Sequence, residues 1–170
     1  MIRLTKQADY AIVLLIRMAE DGVGVSHSAR DLAHEVHLPG PIVSKILKAL
    51  AREGLLSSHR GVNGGYTLAL APERLSVAEV IRAVEGPIAL TECLTTMRST
   101  CQLHPTCTSR AKWNRINGVI EQTLEGITLA AMARPLSADE QLVLIDVPPR
   151  ADASLASGAA GATTTPDHTC

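Results

Sequence analysis

Aromatic side chains are almost missing from this chain of 170 residues, which contains no Phe, one Trp and two Tyr. A core without aromatic rings has to be built mainly from Leu, Ile, Val and Ala, and such a composition favours amphipathic helices. The chain is long enough for one modest domain, or for a small domain with an accessory helix, but not for a second domain of the size of an enzyme. The sequence therefore predicts a mainly α protein.

Long apolar runs are missing as well. The apolar run near the N-terminus lies between Asp9 and Arg17, and it is too short to span a bilayer or to form the apolar part of a signal peptide. We therefore expect a cytoplasmic protein with no membrane association. Thiols in the cytoplasm are normally kept reduced, so clustered cysteines there bind metal or sense redox changes more often than they form structural disulfides.

A large excess of one charge is also absent, since the formal net charge is −1. Residues 1–75 carry nine Lys and Arg against seven Asp and Glu, whereas the remainder carries seven against ten. So small an excess does not by itself indicate binding to nucleic acid. The positions of the basic residues have to decide that question.

The first half of the chain has the outline of a helix-turn-helix. Apolar residues recur at helical spacing from about residue 5 to 21, and Ser28 can cap a short second helix. A turn at residues 37–40 leads into a longer third helix over about 41–53. An ordinary helical hairpin has the same outline, so spacing alone does not predict DNA binding.

The third predicted helix has two different faces. The residues spaced to face a core are Val43, Ile46, Leu47 and Leu50. The opposite face is polar and basic without an acid, whereas a solvated helix face normally mixes both charges. Such a face suits the major groove, and we expect Ser44 and Lys45 to lie near base edges. Lys48 and Arg52 would then lie near phosphates.

A hairpin is predicted directly after this helix. Two strand-like runs, at residues 55–59 and 66–70, flank a glycine-rich turn, which is the pattern of the wing in a winged helix. Arg60 at the base of the wing can enter a minor groove, although a single exposed Arg is often only solvated. The residues predicted to contact DNA are Ser28, Pro41, Ser44, Lys45, Lys48, Arg60, Asn63 and Gly64.

The second half begins with a capping box, Ser76 and Glu79, which predicts a helix that Gly86 ends. An apolar stripe later predicts a long helix over about 109–125, and its residues are Trp113, Ile116, Ile120, Leu124 and Ile127. This helix could pack against its copy in a second subunit or fold back on its own domain. We divide the chain into a winged helix-turn-helix domain (1–86), a cysteine-containing loop (87–108), a C-terminal dimerisation helix (109–134) and a mostly disordered tail (135–170).

Three of the four cysteines, Cys93, Cys101 and Cys107, lie in the predicted loop with C-x7-C-x5-C spacing. Binding of a metal or cluster would explain this grouping of cysteines, and so would an incidental grouping without a bound ion. Together with His104 they could form a tetrahedral zinc site. No base or oxyanion donors accompany these thiols in the pattern of an enzyme, so the sequence does not predict one. Cys170, in the predicted tail, is interpreted as a bystander.

Several stretches together resemble the Rrf-two family of winged-helix regulators, which includes IscR-like cluster regulators and NsrR-like nitric oxide sensors. The stretches are "RLTKQADYAIVLL", "KALAREGLLSS", "RGVNGGYTLA", "AVEGPIALTEC" and "WNRINGVIEQTLEGITLAAM". The resemblance covers residues 1 to about 134. The last two stretches are most similar to the branch that regulates the SUF operon for iron-sulfur cluster assembly.

The resemblance implies a homodimer that binds a palindromic operator in double-stranded DNA and holds an iron-sulfur cluster on Cys93, Cys101 and Cys107. It favours a 2Fe-2S over a 4Fe-4S cluster and a repressor function. A nitric oxide or redox sensor of the same family, or a regulator with a structural zinc site, is the alternative. A cluster held by three thiolates and a weaker fourth ligand is lost more easily, as a sensor requires.

The resemblance leaves several candidates for the fourth ligand. IscR-like proteins have a His three residues after the last cysteine, where this sequence has Arg110, and Arg cannot bind a metal. NsrR-like proteins place an Asp at the position of Asp9, which reaches the cluster of the partner subunit. Asp9 is equally explained as an acid favoured by the dipole of the first helix. His104 and Glu92 are the local rivals.

Overall fold

The computed structural model describes residues 4–61, 64–94 and 106–135. One compact unit, Met1–Arg134, contains all of the helices and strands given below. A second unit, Pro135–Cys170, is described only at its first residue. Apart from Pro135, the predicted disordered tail therefore lies outside the described residues.

Within the described residues, three helices come first, then a two-stranded antiparallel sheet, and then three further helices. The helices are α1 (Lys6–Glu20), α2 (Ala29–Glu35), α3 (Gly40–Arg52), α4 (Val77–Glu85), α5 (Arg110–Gly126) and α6 (Leu129–Ala133), and the strands are β1 (Leu56–His59) and β2 (Gly65–Leu68). Single turns of 3-10 helix lie at Pro72–Arg74 and Glu92–Leu94. The prediction of a mainly α, winged helix-turn-helix fold is confirmed.

Local signals explain why the predicted boundaries agree closely with the structure. The hydroxyl of Ser28 accepts a hydrogen bond from the Asp31 N–H at 3.1 Å and so caps α2. Ser76 and Glu79 form the predicted capping box at the start of α4. Gly86 ends that helix with a φ of +88°, a conformation that side chains with a Cβ rarely adopt.

The core lies between α1, α3 and α4, with α6 and the sheet packed around it. Its largest fully buried side chains include Leu14, Leu15, Met18, Ile46, Leu47, Leu50 and Leu129. All four apolar residues predicted for the inner face of α3 are buried. The opposite face of that helix is consequently turned to solvent.

The segment predicted as one dimerisation helix, 109–134, contains two helices rather than one. The hydroxyl of Thr128 caps α6 by accepting from the Ala131 N–H at 3.2 Å. Just before it, Val77 donates its N–H to the Ile127 carbonyl at 2.9 Å, which holds the connection beside the start of α4. Beyond this break, Leu129 at the start of α6 is buried in the core.

Candidate DNA-binding face and cysteine segment

The outer face of α3 carries most of the predicted DNA contacts. Pro41 lies in the first turn, where its missing N–H costs no helical hydrogen bond. Lys45 and Lys48 are exposed and Ser44 is half-buried. No acidic residue lies in the first turn of the helix, so a phosphate approaching this end meets no carboxylate of α3 itself.

Two concave surfaces flank this face. On one side, a cavity of about 280 Å³ lies between α3 and the sheet, lined by Lys48, Arg52, Ser58 and Tyr66 among others. On the other side, a cavity of about 480 Å³ lies between α3, α1 and α4, and Gln7 contributes to it. The two strands of a duplex lie on either side of a helix in the major groove, so cavities on both flanks of α3 are compatible with the predicted DNA contacts. Sequence reasoning did not single out Gln7, Ser58 or Tyr66, because only the packing of three elements brings them beside the face.

The wing is a short hairpin that is tied to the start of α2. Strands β1 and β2 pair in antiparallel register, with Leu56 opposite Leu68. The backbone of His27 exchanges two hydrogen bonds of 2.9 Å with Tyr66, which adds a single bridge to the sheet. Because Ser28 follows at once, the cap of α2 and the wing are held together.

The turn of the wing requires glycine at residue 64. A Cβ at Gly64 would lie 2.6 Å from the His59 carbonyl oxygen and 2.9 Å from that of Gly61. Both oxygens belong to the backbone and cannot move without bending the hairpin. Arg60 is exposed beside this turn, and Asn63 lies outside the described residues.

The predicted contact residue Ser28 already has an intramolecular role. Its hydroxyl donates to the Asp31 carboxylate at 2.7 Å in addition to capping the helix. A contact between this hydroxyl and DNA would have to share or exchange these hydrogen bonds. The DNA contact of Ser28 stays a prediction, as do those of the other seven residues.

Two of the three predicted thiol ligands lie in the described part of the chain. Cys93 is in the 3-10 turn Glu92–Leu94, and Cys107 precedes the first residue of α5 by three positions. Both are free and half-buried. The Thr91 hydroxyl oxygen lies 3.2 Å from the Cys93 sulfur, within hydrogen-bonding distance for sulfur.

Cys101 and the alternative ligand His104 lie outside the described residues. Across residues 4–61, 64–94 and 106–135, no three His, Cys, Asp or Glu side chains form a group that could hold a metal ion. Asp9 is exposed in the first turn of α1. Within one chain, Asp9, Cys93 and Cys107 therefore do not form a site, and the assignment of Asp9 to the cluster of a partner stays a prediction.

Helix α5 lies beside the segment that leads to Cys93. Asn117, a buried polar residue that sequence reasoning missed, bonds to the backbone on both sides of residue 89. Arg82 of α4 bonds to Glu121 and Glu125 of α5. These hydrogen bonds with Glu125 and Glu121 raise the pKa of Arg82 above its usual value.

The apolar stripe predicted on α5 is divided between two environments. Leu124 and Ile127 pack against the core of their own chain. In contrast, Trp113 and Ile116 of the stripe are 42% and 46% exposed, and Val119, which was not part of the predicted stripe, is 58% exposed. The C-terminal part of the stripe therefore folds back on its own domain, and the N-terminal part is uncovered within one chain, where packing against a second subunit stays a prediction. None of the helices in the described part of the chain is both long and apolar enough to cross a membrane.

Comparison with known proteins gives consistent matches. Residues 4–135 match the family model Rrf2, described as an iron-dependent transcriptional regulator. An HTH-type transcriptional regulator of Haemophilus influenzae is 30% identical over 140 residues, which are 82% of this chain and 92% of that protein. NsrR of Shouchella clausii is 29% identical over 123 residues, which are 72% of this chain and 78% of that protein.

Solved structures show the same architecture. CymR, described as the global cysteine regulator of B. subtilis, has a TM-score of 0.61 at 25% identity, covering 78% of this chain and 97% of its own. IscR of T. potens has a TM-score of 0.56 at 24% identity, covering 82% of this chain and 96% of its own. The likeness to IscR is one of fold.

Proposed function

This chain belongs to the Rrf2 family of transcriptional regulators, and from that membership we propose that it senses iron-sulfur cluster supply and represses the genes of a SUF-type cluster assembly operon. Its relatives regulate transcription and are not enzymes, as the sequence predicted. The proposal goes beyond family membership in three respects: the protein holds a cluster on Cys93, Cys101 and Cys107, it forms a homodimer, and it binds a palindromic operator.

The observation that carries the proposal is the placement of the described thiols beside α5. Cys107 leads directly into α5, and the turn that contains Cys93 packs against the same helix. Since α5 is also bonded to α4 of the winged-helix unit, a group bound by these thiols can influence the position of the DNA-binding face. A site for structural metal alone would not need this connection.

The residues present fit a group that is held by thiolates. Both described thiols are free, and neither is so buried that a cluster would have to displace the core. The Thr91 hydroxyl can donate to the Cys93 sulfur once it is a thiolate, and such hydrogen bonds tune the potentials of iron-sulfur clusters. When bound, the cluster would supply a group whose occupancy depends on the supply of iron and sulfur. We favour a 2Fe-2S cluster with Asp9 of the partner subunit as the fourth ligand.

DNA binding by the proposed dimer would use the outer face of α3 in the major groove and the wing in the adjacent minor groove. Lys45 and Lys48 point away from the core of the chain, and Arg60 is exposed at the wing. A dimer related by twofold symmetry would present two such faces, and such a pair fits the proposed palindromic operator. The exposed part of the α5 stripe, Trp113 and Ile116, together with the exposed Val119, is the proposed seam between the subunits.

The deciding experiment is a titration of the promoter of the protein's own operon with cluster-loaded and apo protein, both prepared anaerobically. We expect a coloured protein with visible absorbance and different affinities of the two forms for the operator. A colourless protein that contains zinc would favour the alternative site of Cys93, Cys101, His104 and Cys107, in which all ligands come from one loop. A cluster that is destroyed by nitric oxide but indifferent to iron supply would favour the nitric oxide sensor.

A further inference from the structure

Asn117 is one of the few buried polar residues in the described part of the chain, with 8% of its surface exposed. Its carboxamide oxygen accepts a hydrogen bond from the Leu90 N–H at 2.9 Å. Its carboxamide nitrogen donates to the Ile88 carbonyl at 2.9 Å. An amide side chain has a donor and an acceptor side by side, so it can satisfy the backbone on both sides of residue 89 at once.

The segment held in this way leads directly to the first thiol. Leu90 is followed after three positions by Cys93, which lies inside a tight turn that is closed by the hydrogen bond from the Leu94 N–H to the Thr91 carbonyl at 3.0 Å. The other described thiol, Cys107, is joined to the start of α5 by two intervening residues. Both thiols are thus attached to one helix, Cys107 through the chain and Cys93 through the side chain of Asn117.

The choice of a polar residue at this position needs an explanation. Its neighbours on the same side of α5, Ile120 and Leu124, are apolar and half-buried, so an apolar side chain would suit the face. Burying an amide is unfavourable unless its hydrogen bonds are satisfied, and those bonds add little net stability when they are. An amide fixes the orientation of the segment to which it is bonded, and a Leu would not.

We propose that Asn117 is the positioning residue of the thiol site. It holds residues 88–93, the Cys93 limb of the loop, against α5, so that Cys93 and Cys107 already lie in a fixed relation before a metal or cluster binds. This inference rests on the proposed function only for the identity of the bound group. Ordering the limb in advance removes an entropic cost from binding. Loss of the two hydrogen bonds of Asn117 therefore lowers the affinity of the thiols for metal without removing a ligand.

The test compares Asn117→Ala and Asn117→Asp with Asn114→Ala, a matched control that removes an exposed amide from the same helix. The first measurement is hydrogen exchange of the Leu90 amide in the full-length apo protein. We expect Asn117→Ala to accelerate this exchange by at least about tenfold and Asn114→Ala to leave it unchanged. Asn117→Asp keeps the acceptor for Leu90 but loses the donor to Ile88, so its effect should be intermediate.

The second measurement is a titration of the apo protein with Co²⁺, whose absorbance reports binding by thiolates. We expect Asn117→Ala to weaken Co²⁺ binding by about tenfold, within the range typical of residues that support metal ligands. Thermal unfolding and light scattering show whether each variant keeps its fold. If Asn117→Ala fails to fold, Asn117→Asp carries the test.

The outcomes separate the two proposals. If hydrogen exchange at Leu90 is unchanged in Asn117→Ala, Asn117 does not hold this segment and the proposal is wrong. If exchange is faster but the affinity for Co²⁺ is unchanged, Asn117 has no positioning role and is purely structural. Wild-type protein that stays colourless after anaerobic reconstitution with iron and sulfide contradicts the proposed iron-sulfur function. The Co²⁺ result still decides the role of Asn117 in that case.

Discussion

The guanidinium of Arg82, in the last turn of α4, donates two hydrogen bonds to one carboxylate oxygen of Glu121 on α5, at 2.7 and 3.2 Å. Glu125, one turn further along α5, accepts from the same guanidinium. The Arg82 side chain is 34% exposed, so these bonds are only partly screened by water. They join the winged-helix unit to the helix that adjoins the thiols.

We expect Arg82→Gln to uncouple DNA binding from the state of the cysteine segment. The ratio of operator affinities of cluster-loaded and apo protein should move towards one, while the destabilisation stays within about 1 kcal/mol, because the ion pairs are partly exposed. The matched control is Arg115→Gln, which removes an exposed Arg from α5. An unchanged ratio in Arg82→Gln would show that the coupling runs through other contacts.

Lys48→Ala should weaken binding to all DNA sequences and lower the slope of the salt dependence by about one counterion, because Lys48 is predicted to contact a phosphate. The control is Lys112→Ala, which removes the same charge from α5 instead of α3. Filter binding or fluorescence anisotropy at several salt concentrations measures both. Unchanged affinity in both Lys48→Ala and Arg60→Ala contradicts the assignment of the DNA-binding face.

Gly64→Ala should distort the wing, because its Cβ would lie 2.6 Å from the His59 carbonyl oxygen. We expect a loss of about 1 to 3 kcal/mol in the free energy of unfolding and weaker operator binding. Gly118→Ala is the control: its Cβ has open space and it lies inside α5, where Ala is the better helix former. Chemical denaturation measures the difference, and equal stabilities of the two variants would refute the steric argument.

Ile116→Asp should produce monomers that bind a palindromic operator poorly. Ile116 is 46% exposed in one chain, so a carboxylate there disturbs the fold little, but in a dimer seam it would be buried without a partner at a cost of several kcal/mol. Ile120, half-buried against its own chain, is a less specific probe. Light scattering decides the outcome against the exposed control Gln122→Asp, and a stable Ile116→Asp dimer would exclude this seam.

Asp9→Ala tests the ligand predicted from the partner subunit. Because Asp9 is exposed, the variant should fold and dimerise normally. Its cluster should be lost faster in air, and the ratio of cluster-loaded to apo DNA affinity should change. Visible absorbance followed over time in parallel with His104→Ala separates the two candidates. A wild-type decay rate in Asp9→Ala together with loss of the cluster in His104→Ala would place the fourth ligand in the loop.

The sequence alone determined α1 to α4, the wing and the buried face of α3, but not the division of the last predicted helix into α5 and α6. Capping by Ser28 or by Ser76 with Glu79 acts over three residues, and the apolar spacing of α3 repeats within two turns. Such signals are complete within a short segment of chain, so they can be interpreted before the fold is known. The predicted contacts with DNA and metal follow from residue types in these segments, and they stay predictions.

Only the tertiary structure decided how the segments are joined. Asn117 meets Leu90 across 27 positions of chain, and Arg82 meets Glu121 across 39. Neither an Asn nor a Glu on a helix surface indicates its partner, since each would be equally satisfied by water. The stripe on α5 likewise has one period, although Leu124 packs on the core and Ile116 does not. Periodicity defines a face of a helix, whereas the packing of the other helices determines which part of that face is covered.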